Sequence, residues 1–217
     1  RPALTPWAGT AARRLRDRVS PRFFTADARM SNPLLEMIRG RDLPPFSDIR
    51  PEHAEPALDA VLQANRDAIR ELEQVESPSW TNFVAQLEQL DNDLHRRFSP
   101  VSHLNGVANT PEWRSAYNVC LPKLSAYSTE MGQNQALYQR FAQIAESADF
   151  AGLPTPRKTI IEHAIRDFRL AGVHLQGEQR SRYAEIQQQL SVLQTRFQEQ
   201  VLDATEAWVW QTDHVED

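Results

Sequence analysis

The sequence predicts an all-α protein: a multi-helix bundle of about six helices with one long C-terminal helix, followed by a short extended segment. Three observations predict this class. Apolar residues, 41% of the 217, recur at intervals of three and four along most of the chain. Only 7 glycines are present, and several of them separate the periodic stretches. No run approaches the roughly 18 apolar residues that a membrane-spanning helix requires.

The first helix is predicted to begin at Pro51, because a proline at the first helical position loses no hydrogen bond. Pro56 falls in the first turns, where we expect it to bend the helix or delay its start. The pattern extends to about Glu76. Its apolar positions are Leu58, Val61, Leu62, Ile69 and Leu72.

The second helix is predicted to follow the break Ser77-Pro78-Ser79, with Thr81 as its N-cap. Its apolar stripe consists of Phe83, Val84, Leu87, Leu90, Leu94 and Phe98. Proline removes a backbone donor and clashes with the preceding turn of a helix. We therefore predict that Pro100 interrupts this helix and that residues 101–107 form a short turn.

The third helix has a clear start, with Thr110 as N-cap, Pro111 at the first position and Glu112 in the first turn. Its stripe continues beyond Pro122, so we expect that proline to kink the helix without ending it. The stripe contains Trp113, Tyr117, Cys120, Leu121, Leu124 and Tyr127.

Two shorter helices are predicted next. Residues 132–134 precede the fourth, whose apolar positions are Leu137, Tyr138, Phe141 and Ile144. The fifth repeats the order of cap and proline at Thr155-Pro156, and Gly172 is a natural stop for it. Its apolar positions are Ile160, Ile161, Ala164, Ile165 and Phe168.

The sixth helix is the longest, from about Gly177 to Glu206 without an internal glycine or proline. Its apolar residues alternate gaps of three and four: Tyr183, Ile186, Leu190, Leu193, Phe197 and Val201. A free coiled coil is one interpretation of this seam. We predict the other, a long helix packed against its neighbours within one bundle, because the remaining helices also need partners for their apolar faces.

The character of the chain changes after this helix, at Trp208-Val209-Trp210-Gln211, which is β-prone. Two tryptophans this close to the last residue leave little chain to cover them. We expect that the sequence stops partway through a larger protein and that Trp208 and Trp210 face the missing part.

Charge divides the chain into two parts. Residues 1–29 contain seven arginines against Asp17 and Asp27, a balance of +5 that leaves −10 for the rest of a chain of net charge −5. The acidic body argues against nucleic acid as a partner. The basic segment precedes Met30, and we expect it to be disordered or not native to the mature protein. It has three interpretations: an organellar transit peptide, sequence upstream of a natural start, or an arm that contacts a partner.

Four irregular strings carry more information than helical periodicity. They are L-P-P-F-S-D-I-R-P-E-H-A at residues 43–54, F-S-P-V-S-H-L-N-G-V at 98–107, L-P-K-L-S-A-Y-S-T at 121–129 and V-L-D-A-T at 201–205. Amphipathic patterning alone requires no such order of proline, histidine, asparagine and glycine. With these strings the chain resembles the N-terminal part of the thimet-oligopeptidase family of zinc metallopeptidases, from about Ser31 to its last residue.

This resemblance implies two mostly helical lobes that flank a deep channel. The zinc lies on the wall formed by the later lobe, and residues 30–217 are expected to be the helical N-terminal domain, truncated before the catalytic domain. The implied substrates are short unfolded peptides, including signal-peptide fragments, and the implied location is the cytoplasm. The implied partner is the missing catalytic domain of the same protein. No nucleic-acid or membrane partner is expected.

A zinc site of this family requires the motif H-E-x-x-H, in which two histidines one helical turn apart hold the metal beside a catalytic glutamate. The six histidines are His53, His95, His103, His163, His174 and His214. None precedes a glutamate and no two are four residues apart. The sequence therefore assigns no catalytic, cofactor-binding or metal-binding residue to this chain, and zinc is expected only in the full-length enzyme.

His103 and Cys120 each allow more than one interpretation. His103 is interpreted as fixing the backbone of its turn, hydrogen-bonded to Ser99, Ser102 and Asn105. Its alternatives are the rim of a peptide channel or a metal ligand. Cys120, the only cysteine, excludes an internal disulfide, and its place on an apolar stripe indicates a core residue rather than a nucleophile.

Two hypotheses follow for the function. The first is a non-catalytic domain that forms part of the channel wall of a zinc oligopeptidase. The alternative is a stand-alone helical interaction module without enzymatic activity. A dimer formed through the long helix is a third and weaker possibility.

Overall fold

The computed structural model describes residues 32–36 and 43–211, which form helices and their connecting turns. In chain order the α-helices are α1 (Pro33–Glu36), α2 (Ala54–Leu72), α3 (Ala85–Ala108), α4 (Pro111–Gly132), α5 (Gln135–Glu146), α6 (Thr155–Leu170) and α7 (Gly177–Ala207). The described residues contain no β-strand, so the all-α class and the long C-terminal helix are confirmed. Trp208, directly after α7, has an extended backbone. The predicted extension, residues 1–29, lies outside the described residues.

Helices α2, α3 and α4 pack against one another and form the centre of the core. The predicted stripe of α2 is buried there, and burial of each large aliphatic side chain contributes about 1.5–3 kcal/mol. The polar Asn65 lies within that face and donates its side-chain amide to the carbonyl of Leu90 on α3 (3.4 Å). None of the described helices has the length and apolar character needed to cross a bilayer.

The start of the second predicted helix differs from the prediction, because Ser79 and not Thr81 is the N-cap of the helical segment that leads into α3. The Ser79 hydroxyl accepts a hydrogen bond from the Asn82 backbone N–H (3.3 Å), and the Asn82 side chain accepts one from the Ser79 N–H (2.7 Å). This reciprocal pair fixes an earlier start. A five-residue π-helical segment, Trp80–Val84, then leads into α3 and buries Phe83 and Val84.

The predicted break at Pro100 was wrong, since α3 continues through it to Ala108 and residues 101–107 are helical. A proline at this position deprives the Arg96 carbonyl of its usual donor. The Ser99 hydroxyl donates to that carbonyl instead (3.4 Å). Pro100 and Val101 are buried in the core, so packing favours a helix where the local rule predicts a break.

The predicted start of α4 is confirmed. Thr110 is the N-cap, its hydroxyl accepts from the Trp113 N–H (3.4 Å), and Pro111 occupies the first position. The helix also continues beyond Pro122, as predicted, and ends at Gly132.

Helices α5 and α6 pack against each other and join the core through aromatic contacts. Phe141 of α5 lies with its ring centroid 5.3 Å from that of Phe83 and 5.7 Å from that of Phe168. The cap of α6 is Pro154, so the assignment of Thr155 as cap was wrong by one residue.

Gly172 follows the end of α6 in the left-handed region, as its prediction as a stop requires (φ +76°). The N–H groups of Gly172 and Val173 donate to the carbonyls of Arg169 (3.1 Å) and Phe168 (3.0 Å), which completes a Schellman motif. A glycine tolerates this backbone conformation without strain.

The turn after α6 is held against the end of α4. A Cβ atom on Gly132 would lie only 2.7 Å from the Cβ of Ala171, so the two backbones approach more closely than larger residues would allow. The buried Gln133 donates its side-chain amide to the Ala171 carbonyl (3.3 Å). The chain therefore enters α7 from a fixed point on α4.

The short helix α1 is fixed by polar groups at both ends. Asn32 accepts a hydrogen bond from the Leu34 N–H (3.1 Å) and donates to the His53 carbonyl (2.9 Å). A four-residue helix leaves its last carbonyls without internal partners. Arg97 of α3 donates to the carbonyls of Leu34 (2.8 Å) and Leu35 (2.7 Å), and burial lowers the pKa of its guanidinium from the usual value.

Replacing Arg97 with alanine is expected to lower the free energy of unfolding by about 2–3 kcal/mol, because two carbonyls lose a charged donor. Urea denaturation followed by circular dichroism measures the change. The control is Arg70→Ala: its exposed side chain forms an ion pair with Asp67 one turn away on α2, and the loss should cost less than about 1 kcal/mol. Equal losses in the two variants would contradict the assigned role of Arg97.

Candidate interaction surface

The histidines of the described residues do not assemble a metal site. No group of three or more His, Cys, Asp or Glu side chains in this part of the chain is arranged to hold a metal ion. His53 accepts a hydrogen bond at Nδ1 from the Arg50 N–H (3.0 Å), at the start of the 3-10 turn before α2. These residues therefore do not fit a zinc ion.

His103 lies on α3 and not in a turn, which corrects its predicted setting. Its ring centroid is 5.5 Å from that of Phe46, in the segment that precedes α2. The hydrogen bonds predicted for it with Ser99 and Asn105 are not formed: Ser99 donates to Arg96, and the side-chain oxygen of Asn105 has no partner among the described residues. His103 therefore packs an aromatic contact between α3 and the lead-in segment.

Cys120 is a core residue, as predicted. Its side chain is fully buried on α4, and burial raises the pKa of the thiol to about 11. The thiol is therefore protonated at neutral pH, and a protonated, inaccessible thiol cannot act as a nucleophile.

The largest exposed apolar feature in the described residues is on α7. The apolar face of α7 consists of Ile186, Leu190, Leu193, Phe197 and Val201. At 100° per residue these five side chains lie within roughly 80° of one another around the helix. Their exposed fractions run from 40% at Ile186 to 67% at Phe197. The predicted seam thus exists, and the helix packs against the bundle as predicted, but the expectation that the seam makes this contact was wrong.

Helix α7 does contact the bundle, through α4 and with a different face. Arg114 forms a two-pronged ion pair with Asp203, one oxygen of which lies 3.0 Å from a guanidinium nitrogen. Asn118 donates to Glu199 (3.0 Å), and Asn109, just before α4, donates to Glu206 (3.0 Å). These contacts define the polar face of α7.

The polar face is also fixed at the start of α7, and the half-buried side of the helix is mainly polar, with Ala184 and Leu202 as its apolar members. Arg180 donates to the side-chain oxygen of the buried Gln133 (3.1 Å). Between that contact and Glu199, the half-buried positions include Ser191 and Thr195, one turn apart. No residue of α7 is fully buried. Since the Arg114 guanidinium lowers the pKa of Asp203 from its usual value, the ion pair persists down to acidic pH.

Trp208 and Trp210 extend the exposed apolar surface beyond the end of α7. Their exposed fractions are 72% and 69%, and Val209 between them is also exposed.

The sequence predicted both the seam and the two tryptophans as surfaces to be covered, but it did not predict the polar face of α7. Acidic residues at 199, 203 and 206 share one side of the helix, and that spacing was the available signal.

The chain is similar to known peptidases. The family model for the N-terminal domain of neurolysin and thimet oligopeptidase matches residues 58–180. Over 82% of its length the chain is 44% identical to oligopeptidase A of Haemophilus influenzae, 43% to that of Salmonella typhimurium and 42% to that of Escherichia coli. In each case the match covers 26% of the relative, so the chain spans about a quarter of the length of these curated relatives.

The native Cys120 thiol is expected to react with a thiol reagent at pH 8 at least about 100-fold more slowly than the urea-unfolded chain, because its pKa is raised from 9.0 to about 11. Absorbance of the released aromatic thiolate measures the rate. Val119→Cys is the matched control, since Val119 is exposed on the same helix. That variant should release one equivalent quickly in the native state. Rapid release from the unaltered native chain would contradict the burial of Cys120.

Proposed function

The chain belongs to the neurolysin and thimet oligopeptidase family and carries its N-terminal domain, and from this membership we propose that it is the non-catalytic helical part of a zinc-dependent oligopeptidase. The observation that carries the proposal is the match itself: 44% identity over 82% of the chain, confined to about a quarter of the relative. The domain is proposed to span residues 30–217.

In this proposal the zinc chemistry belongs to the part of the protein that the relatives have in addition. A zinc ion in such an enzyme activates a water molecule for attack on a peptide carbonyl. Two findings support placing it outside this chain: the sequence contains no H-E-x-x-H, and the described residues offer no set of metal donors. In this proposal the helices described here supply no group that reacts with the peptide, and they contribute by forming a surface of fixed shape.

The proposed role of the bundle is one wall of the channel that admits peptides. A wall must keep its form while substrates pass, and two properties of the described residues suit that role. Helices α2, α3 and α4 share one buried core, and ion pairs join α2 to α4 at its rim, Arg66 with Glu130 (2.8 Å) and Lys123 with Asp59 (2.7 Å). Short unfolded peptides are the proposed substrates, and the cytoplasm is the proposed location.

The alternative function is a helical interaction module that lacks a catalytic partner in the same polypeptide. The exposed apolar face of α7 favours it as far as a binding surface is concerned, because contiguous exposed apolar residues mark interaction sites. The natural reading frame separates the two. A frame that continues past Asp217 and encodes H-E-x-x-H supports the oligopeptidase, and a stop codon there supports the module.

Residues 1–217 are expected to show no peptidase activity with added zinc, because the chain lacks the ligands and the catalytic glutamate. A fluorescence-quenched peptide of about ten residues measures cleavage, with and without a chelator. The protein encoded by the complete natural frame is the positive control and should lose activity on chelation. Chelator-sensitive turnover by residues 1–217 alone would overturn the proposed division of labour.

A further inference from the structure

Helix α7 reverses the usual orientation of an amphipathic helix. Such helices turn their apolar residues towards the core and their polar residues towards solvent. In α7 the polar face contacts α4 through Glu199 and Asp203, while Leu193 and Phe197 point away from the bundle. The centres of the two faces lie roughly 150° apart around the helix axis, at 100° per residue.

Isolated exposed apolar residues are normal on a protein surface, but the apolar face of α7 is continuous. It extends over four turns and is followed by Trp208 and Trp210, both largely exposed. A contiguous apolar surface of this length is typical of a binding surface. The contact of α7 with α4, in contrast, includes no fully buried α7 residue and consists largely of exposed hydrogen bonds and one ion pair, interactions that contribute little to stability individually.

The family match ends close to the start of α7. The model of the N-terminal domain ends at residue 180, within the first turn of α7. The connection before it, residues 171–176, has glycines with positive φ at one end, Gly172, and just beyond the other, Gly177. The matched residues therefore include most of the bundle, from within α2 to the end of α6, and most of α7 lies beyond them.

We infer that α7 is a separate unit of stability whose polar face rests on the bundle and whose apolar face is covered by the part of the polypeptide that follows in the longer relatives. Two observations indicate that the following polypeptide covers the apolar face: the length of chain that the relatives have beyond the match, and the direction in which the apolar surface extends. About three-quarters of each matched relative lies outside the match, and the apolar surface of α7 continues towards the C-terminal end of the described residues. This inference rests on the proposed function in one respect, the continuation of the polypeptide.

The first experiment uses residues 1–217 as they are and does not depend on that continuation. Amide hydrogen exchange read by mass spectrometry should give protection factors in residues 181–207 at least about 100-fold below those of α2, α3 and α4. Sedimentation equilibrium on the same sample should give a monomer. Protection of α7 equal to that of the core in a monomer overturns its independence, and a dimer that Leu193→Asp dissociates assigns the apolar face to a second copy instead.

The second experiment tests the occupant in the protein encoded by the complete natural frame. There, amides 181–207 should be protected to the level of the core, and Leu193→Asp should reduce that protection at least about tenfold. Gln189→Asp is the matched control: Gln189 is exposed on α7 but belongs to neither the apolar nor the polar face, so a carboxylate there should leave protection unchanged. Equal effects of the two substitutions, or none from Leu193→Asp, overturn the inference.

A failure of the proposed function can be distinguished from a failure of the inference about α7. If the frame stops at Asp217, the proposed function fails and the occupant fails with it, while the exchange result on residues 1–217 still decides whether α7 is a separate unit. If the complete protein is a peptidase but α7 is no better protected there than in residues 1–217, the proposed function survives and the inference fails.

Discussion

Helix α4 is contacted by α2, by α3 and by α7, and the arrangement of the chain depends on how those contacts differ in chemistry. Towards α2 and α3 it buries Trp113, Cys120 and Tyr127, so these contacts are apolar and exclude water. Towards α7 it presents Arg114 and Asn118. One helix thus divides the molecule into a core that is complete by itself and an appended helix that is not.

This division explains how far the sequence could predict the fold. Caps and stops are local, so the Thr110 and Gly172 signals identified the start of α4 and the end of α6 correctly. The break at Pro100 failed because its local cost is offset by burial in the core and by the Ser99 hydroxyl, which periodicity cannot anticipate. The predicted N-cap of that helix was wrong for a different reason. Ser79 and Asn82 form a reciprocal pair, which places the N-cap of the helical segment leading into α3 two residues before Thr81.

The apolar face of α7 could be predicted from the sequence, but the polar contacts between α7 and α4 could not. A heptad-like seam indicates that a face of α7 will be covered, but it does not say by what, and the bundle was the wrong choice. The contacts that α7 does make involve Gln133, Asn118 and Arg114, polar residues whose partners are 47 to 89 positions away in sequence. Pairings of that range follow from the assembled fold and are not encoded in spacing along one helix.

The close approach of Gly132 and Ala171 has a mechanical consequence for the molecule. It fixes the N-terminal end of α7, while the other end is held only by side chains that reach across from α4. A helix of 31 residues is about 46 Å long, so a change in its direction beside Gly132 displaces its far end by a much larger distance. A rotation of about 10° there would sweep the tryptophan-bearing tip through roughly 8 Å, given that length. The direction in which the chain leaves Gly132 and Ala171 therefore determines where Trp208 and Trp210 lie.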